Sequence, residues 1–383
     1  MTQTAQTNIR AVFWGTYDTG KPRVRILLQG LRENHVDVIE CHRDVWNGIE
    51  DKSQVRGVRG KLLALLRWLM AYPTLIWRYL QLPEHDLVIV SYMGQLDVLV
   101  LWPFAKVKGK PIVWDTFLSL YNTVVEDRKL LSRRNPVAWL LWSLEWLACK
   151  AADLVVVDTD AHGRYFSHKF SVPSTKIRRV FVGAETCTFG HDRPKRPPGS
   201  AQAPVVLFYG QFIPLHGIPT VVEAAKLTES EDIRWIIVGN GQEAPKVRAL
   251  LEQLHPNNLE WVPWIPYSEL GEALSNADIC LGIFGDTDKA ARVIPNKVFQ
   301  ILMSGRPLIT RDSPAIRELV SKDDEGVWLI PPASPTILAD TVRQATRSHL
   351  PPALHSEIKN TITPKTIGET FLFHLRCLLS PSA

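Results

Sequence analysis

Cysteine is scarce, with five in 383 residues: Cys41, Cys149, Cys187, Cys280 and Cys377. The number is odd, the spacing is scattered, and no two form a Cys-x-x-Cys pair. A disulfide framework and a zinc site are both disfavoured, and a reducing, cytoplasmic setting is expected. Long apolar runs are missing as well. No stretch reaches the ~20 uncharged apolar residues that cross a bilayer as a helix. The opening residues MTQTAQTNIR are polar and have none of the apolar character of a secretory leader. Charge of one sign is also in short supply: 44 Lys and Arg against 39 Asp and Glu leave a formal net charge of +5. That excess suits an anionic small molecule or an anionic membrane surface, and is too small to indicate a nucleic-acid partner.

What is present describes a folded chain. Hydrophobic residues make up 45% and charged residues 22%, which is ordinary for a globular protein. The length exceeds what one hydrophobic core usually serves, so two domains are expected. Short β-branched runs alternate with longer helical stretches. In the first half they lie at 10–14, 36–40, 86–90, 111–114, 153–157 and 178–182. In the second they lie at 205–210, 234–239, 259–262, 278–284, 306–310 and 327–330. Near-continuous apolar strands separated by helices predict parallel sheets covered on both faces. The fold class is therefore α/β, with two doubly wound, Rossmann-like domains. Residues 183–204 are rich in Pro, Gly and charge, which suits an inter-domain connection. The expected division is a first domain over 1–190, a linker over 191–204 and a second domain over 205–364. A C-terminal helix over 365–383 is expected to return to the first domain. Such sheets bind ligands beyond the carboxyl ends of their strands, so the site is expected in a cleft between the domains.

The segment most charged with chemistry runs from Gly285 to Val320. Pro295 suits the first turn of a helix, where its missing N–H costs nothing. Gly305 ends that helix and Pro307 opens the next strand. Lys289 and Arg292 precede the helix and Lys297 lies in its first turn. The free N–H groups and dipole of a helix start favour phosphate, and nearby cations add charge-assisted hydrogen bonds. A solvated basic loop is the competing interpretation. Gly239 and Gly241 follow the strand RWIIV, where glycine admits a close ligand approach or simply a tight turn.

Three blocks of the second half carry a family resemblance. GQFIPLHG (210–217), VGNGQE (238–243) and VIPNKVFQILMSGRPLITRDSPAIREL (293–319) occur in that order. They resemble the donor domain of family 4 glycosyltransferases, the large retaining GT-B family. The first half matches more loosely, through the Gly15 loop, KPIVWDT and CKAADLVVVDTDAHGRYF. The resemblance spans nearly the whole chain and is strongest from about residue 205 to 320. It implies a GT-B fold and transfer of a hexosyl group, with retention, from a UDP- or GDP-sugar. The implied acceptor is a glycan or lipid-linked glycan, in polysaccharide or glycolipid synthesis, with neither cofactor nor metal.

The resemblance also implies roles for residues. Gly15 lies in the loop set against donor phosphates and acceptor. Asp115 stands where many relatives have His-Asp, and either orients an acceptor hydroxyl, acts as a base, or serves as a cap or turn residue. Gln211 and His216 take the places of a basic pair. Gly239, Asn240 and Gly241 form the second glycine turn, and Trp264 lies where the main chain reads the base, or packs. Pro295, Asn296 and Lys297 resemble a subset that uses this lysine. Arg292 and Gln300 replace two glutamates eight residues apart. The Gln300 amide can still bond ribose hydroxyls, whereas Arg292 cannot accept a bond from a sugar hydroxyl. Lys297 and Arg292 would stabilise the departing diphosphate. A sugar-nucleotide epimerase of the same architecture is one alternative. A non-catalytic donor-site-like partner subunit is another, to which the Arg292 and Gln300 replacements point.

Other features are assigned to structure. The Asp-Thr-Asp triplets at 158–160 and 286–288 resemble metal carboxylates of the GT-A fold only in spacing. Asp158 and Asp160 are expected to cap a helix, and His162 to lie at its start. Trp139, Trp142 and Trp146 fall at helical spacing and are expected in the core. The apolar, basic stretch 61–82 is either a core helix or a helix lying on the inner, anionic membrane surface. Arg56, Arg67 and Arg78 recur there every eleven residues.

Overall fold

The computed structural model describes residues 9–45, 58–190, 203–351 and 353–380, and for 58–65 the backbone alone. The chain divides into two compact units, Met1–Val182 with Pro364–Ala383, and Gly183–Thr363.

The first unit has six parallel strands: β1 (Arg10–Gly15), β2 (Asp37–His42), β3 (Leu87–Val90), β4 (Ile112–Asp115), β5 (Leu154–Val157) and β6 (Ile177–Arg179). Their order is β2-β1-β3-β4-β5-β6. Five helices follow in turn: α1 (Pro22–Glu33), α2 (Val58–Leu80), α3 (Gln95–Val107), α4 (Pro136–Ala151) and α5 (Asp160–Phe170). Every residue of β3, β4 and β5 is buried. Val88, Trp114 and Val155 face a core shared with α2 to α5. Their neighbours Ile89, Val113 and Val156 face a second core built on α1. Two covered faces explain why these strands read as unbroken apolar runs. The expected strand at 178–182 ends at Arg179, because the carbonyls of Val180 and Phe181 accept hydrogen bonds from Arg23 instead.

The aspartates at 158 and 160 do not cap α5. Thr159 does, its Oγ1 accepting from the His162 N–H at 3.0 Å. Asp158 is buried against His162 Nδ1 at 2.6 Å, and Asp160 pairs with Arg179 at 2.9 Å. A threonine in extended backbone holds its hydroxyl at the helix end, whereas the carboxylate before it points into the core. Trp139 also departs from expectation, being 70% exposed. Trp142 and Trp146 stack on each other against the core.

The second unit repeats the plan with β7 (Val205–Tyr209), β8 (Arg234–Val238), β9 (Leu259–Val262), β10 (Ile279–Leu281), β11 (Leu308–Arg311) and β12 (Val327–Ile330). All pairings are parallel, in the order β12-β11-β10-β7-β8-β9. Its helices are α6 (Thr186–Phe189), α7 (Ile218–Leu227), α8 (Ala244–Leu254), α9 (Leu270–Ser275), α10 (Asp288–Arg292), α11 (Asn296–Met303), α12 (Pro335–Arg347) and α13 (Ser356–Thr361). The order reverses between β7 and β10, which makes that pair a switch point with a crevice at its carboxyl end.

Residues 183–190 sit with the second unit. Phe189 packs edge-on against Tyr267, and Glu185 accepts a hydrogen bond from the Tyr267 hydroxyl. Loop composition marked the break but could not say which core these residues join. Most of the expected linker, 191–202, lies outside the described residues. The last helix, α14 (Pro364–Leu379), packs on α1 within the first unit.

Candidate functional site

Two loops meet at the switch point of the second sheet. One joins β7 to α7 through Gly210–Gly217, and the other runs from Gly282 through α10 to α11. They touch backbone to backbone. A Cβ on Gly217, whose φ is +65°, would lie 2.5 Å from the Gly285 nitrogen. Hydrogen bonds from Phe284 N to His216 O and from Gly285 N to Leu215 O close the contact. β10 is shorter than the expected 278–284: Gly282 and Ile283 still bond to β11, but Phe284 and Gly285 turn to the β7–α7 loop instead. The second glycine turn serves the same packing. A Cβ on Gly239 (φ +146°) would meet the Gly210 carbonyl at 1.9 Å, and one on Gly241 would meet the Phe212 carbonyl at 2.7 Å. These glycines are demanded by the protein's own backbone. Asn240 is exposed, and its Oδ1 accepts from Gly241 N at 2.8 Å. Gln211 is also exposed, and Trp264 is 63% exposed, so packing does not account for it.

Behind these loops α11 begins. Pro295 is the residue before its first turn, in extended backbone, rather than within that turn. The Lys297 side chain is buried, and its Nζ has no hydrogen-bond partner in the protein. It lies 3.4 Å from the centre of the Phe208 ring. His216 meets the same ring edge-on, with its Nδ1 held by the Gln211 carbonyl. Burial pushes the Lys297 amine well below the ordinary lysine range. Asn296 Oδ1 is buried and unpartnered too. An amine and an amide oxygen are thus buried unpartnered at one helix start, where buried polar groups are normally satisfied.

Further cations border the same loop. Lys289 is buried and Arg292 half-buried, both on α10. Arg311, at the end of β11, donates from Nη1 to the carbonyls of Gly285 and Thr287. Its Nε is buried without a partner. Gln300 is turned inward and is 4% exposed. Its Oε1 accepts from the Tyr209 hydroxyl at 2.9 Å, and its Nε2 donates to Tyr267 Oη at 3.2 Å. Both ends of the amide are engaged inside the protein, so Gln300 braces α11 against β7 and the turn before α9 rather than presenting itself to a ribose.

The two expected residues of the first unit are also spent internally. Asp115 is fully buried in an ion pair with Arg23, Nη2 to Oδ1 at 2.7 Å. Arg23 in turn bonds the carbonyls after β6. Asp115 is neither a cap nor an exposed base; it ties β4 to α1. Gly15 (φ +130°) covers the buried Asp97, whose Oδ2 would lie 2.2 Å from a Cβ there. Asp97 accepts from Thr16 N at 2.7 Å and from the Tyr72 hydroxyl at 2.6 Å.

The family match falls on the second unit alone. Residues 203–348 match the family described as Glycosyl transferases group 1. No curated protein matches the sequence. Solved structures match over the whole chain. HepE of Anabaena, in complex with UDP, superposes with a TM-score of 0.66 at 13% identity, covering 97% of this chain and 100% of that one. Sucrose-phosphate synthase from Thermosynechococcus elongatus gives 0.66 at 16% identity, covering 97% and 95%. The lipopolysaccharide outer core galactosyltransferase WaaB gives 0.62 at 14%, covering 97% and 99%. Likeness at such low identity is a likeness of fold. The fold is GT-B. The family match over the second unit supports a glycosyltransferase of this type. In this GT-B chain the sequence missed Arg311, Tyr267 and Glu185, and beneath the Gly15 loop it missed Asp97. A charged residue ending a buried strand was the available signal for Arg311. The others are joined only by the fold.

Proposed function

We propose that the chain transfers a hexosyl group from a UDP- or GDP-sugar to a glycan or lipid-linked acceptor, with retention. The observation that carries this reading is Lys297, whose buried amine has no hydrogen-bond partner at the start of α11. A diphosphate supplies what that side chain lacks. The helix start already favours anions, and negative charge grows on the diphosphate as the sugar leaves. A contact that strengthens at that moment lowers the barrier rather than only tightening binding. Support for the donor class comes from HepE, solved with UDP and also with UDP-glucose. Retention rests on the resemblance of the three sequence blocks.

Lys297→Ala is expected to lower kcat/KM at least ~10²-fold, the scale for losing one such donor. Binding of UDP and GDP, read by calorimetry, separates donor loss from unfolding. Wild-type kinetics in a folded Lys297→Ala protein would overturn the site. A second reading, a donor-binding subunit without turnover, is favoured by Gln300, whose amide is committed to Tyr209 and Tyr267. Tight nucleotide binding with no transfer to any glycan or lipid acceptor would select it. Because Lys289, Arg292, Lys297 and Arg311 supply the positive charge, turnover is expected to survive EDTA. Loss of activity restored by Mn²⁺ or Mg²⁺ would count against this scheme.

A further inference from the structure

Three helices of the first unit turn apolar faces outward. α2, α3 and α4 share one core beneath the sheet, through Tyr72 and Leu75, Leu101 and Ala105, and Ala138 and Ala148. α2 packs on α3, and α3 on α4. Their opposite faces are where a surface helix ordinarily carries polar residues. On α2 the exposed residues Leu66, Leu69, Met70, Trp77 and Leu80 fall within an arc of about 100°, at roughly 100° per residue. α3 exposes Trp102 and Val107, and α4 exposes Trp139, Leu140 and Leu147. Scattered exposed apolar residues are ordinary, but a set spanning three adjacent helices marks an interaction surface.

The charges on these helices are sorted by sign. α2 contains no Asp or Glu. Asp97 on α3 and Glu145 on α4 are both buried. Among the described side chains of these helices the exposed charges are Arg67, Arg78, Lys106 and Lys150, all cationic. Arg67 and Arg78 flank the apolar stripe of α2 on the same side, since eleven residues are close to three turns. Among the described residues no helix is long and apolar enough to cross a membrane.

We propose that this face of the first unit docks on an anionic lipid bilayer, with α2, α3 and α4 lying in the plane of the headgroups. Tryptophans and aliphatic side chains enter the interface while the flanking cations meet lipid phosphates. A symmetric contact with a second copy would instead bring like-charged rows of cations together. The proposal uses none of the residues of the donor site and stands apart from it.

The test is co-sedimentation of the full chain with vesicles of phosphatidylglycerol and phosphatidylcholine, against phosphatidylcholine alone. Recovery with the anionic vesicles is expected to be at least ~10-fold higher and to fall as salt is raised. Arg67→Gln with Arg78→Gln is expected to lower it about 10-fold. Trp77→Ser with Trp139→Ser is expected to weaken binding to both vesicle types without lowering the melting temperature, since both rings are exposed. Equal recovery in the supernatant with and without anionic vesicles would overturn the proposal. So would a dimer in analytical ultracentrifugation that Trp139→Ser disperses, which would assign the face to a second copy.

Discussion

Lys297 sets binding against stability within one side chain. Its amine is buried without a hydrogen bond, 3.4 Å from the centre of the Phe208 ring. Burial lowers its folded-state pKa below the unfolded value. Between those two values the unfolded chain holds the extra proton, so this group makes stability rise with pH. Lys297→Met keeps the length and removes the charge. It is expected to stabilise the protein by about 1–3 kcal/mol, the cost of an unsatisfied buried polar group, while weakening nucleotide binding. A lowered melting temperature for this variant would refute the assignment. The same shift predicts proton uptake when a nucleotide diphosphate binds, because the anion favours the charged amine. Calorimetry in buffers of different ionisation enthalpy reads that proton directly. Affinity is expected to fall as pH rises through the lowered pKa.

At the scale of elements, buried acids fix how helices meet loops. Glu145 on α4 accepts from Ser119 Oγ at 2.8 Å and from the backbone nitrogens of Leu120 and Tyr121 at 3.1 and 3.0 Å. Burial still raises its pKa from 4.5 to about 7. The folded state therefore holds a proton that the unfolded state has released between those values. Stability is expected to fall as pH rises across that window and to level off above it. The drop is about 3 kcal/mol at one pKa unit per 1.4 kcal/mol, and Glu145→Gln is expected to flatten it. Urea denaturation at several pH values measures both. On α11, Gln300→Ala removes the brace between Tyr209 and Tyr267. A lowered melting temperature is expected from it. A pure rise in donor KM with unchanged stability would return Gln300 to the ribose.

For the whole molecule, the return of α14 to the first unit depends on two glycines. A Cβ on Gly30 of α1 would lie 2.2 Å from the Pro364 carbonyl oxygen, and one on Gly368 would lie 2.2 Å from the Gly30 backbone. In an isolated helix Gly→Ala is favourable by roughly 1 kcal/mol. Here the backbone crossing reverses the sign. Gly30→Ala and Gly368→Ala are each expected to destabilise the chain by about 1–3 kcal/mol. A neutral or stabilised Gly368→Ala protein in thermal unfolding would show that the helices do not cross this closely.

Much of this organisation was legible in the sequence, and the part that was not has a physical cause. Each of the twelve runs overlaps a strand, and the match is plainest for inner strands such as β3, β4 and β5, which are covered on both faces and apolar almost throughout. The helix start at Asn296–Lys297 was legible for the same kind of local reason, through a proline and a cation at fixed spacing. Side-chain destinations were not. The sequence alone could not tell that Asp115 is consumed by Arg23, ninety-two positions away, or that Gln300 is consumed by Tyr209 and Tyr267. It could not tell that Trp139 faces out while Trp142 and Trp146 face in. Periodicity and turn chemistry are local and are written residue by residue along the chain. Which polar groups satisfy one another, and which face of an apolar helix is left uncovered, depends on neighbours that only the folded chain brings together.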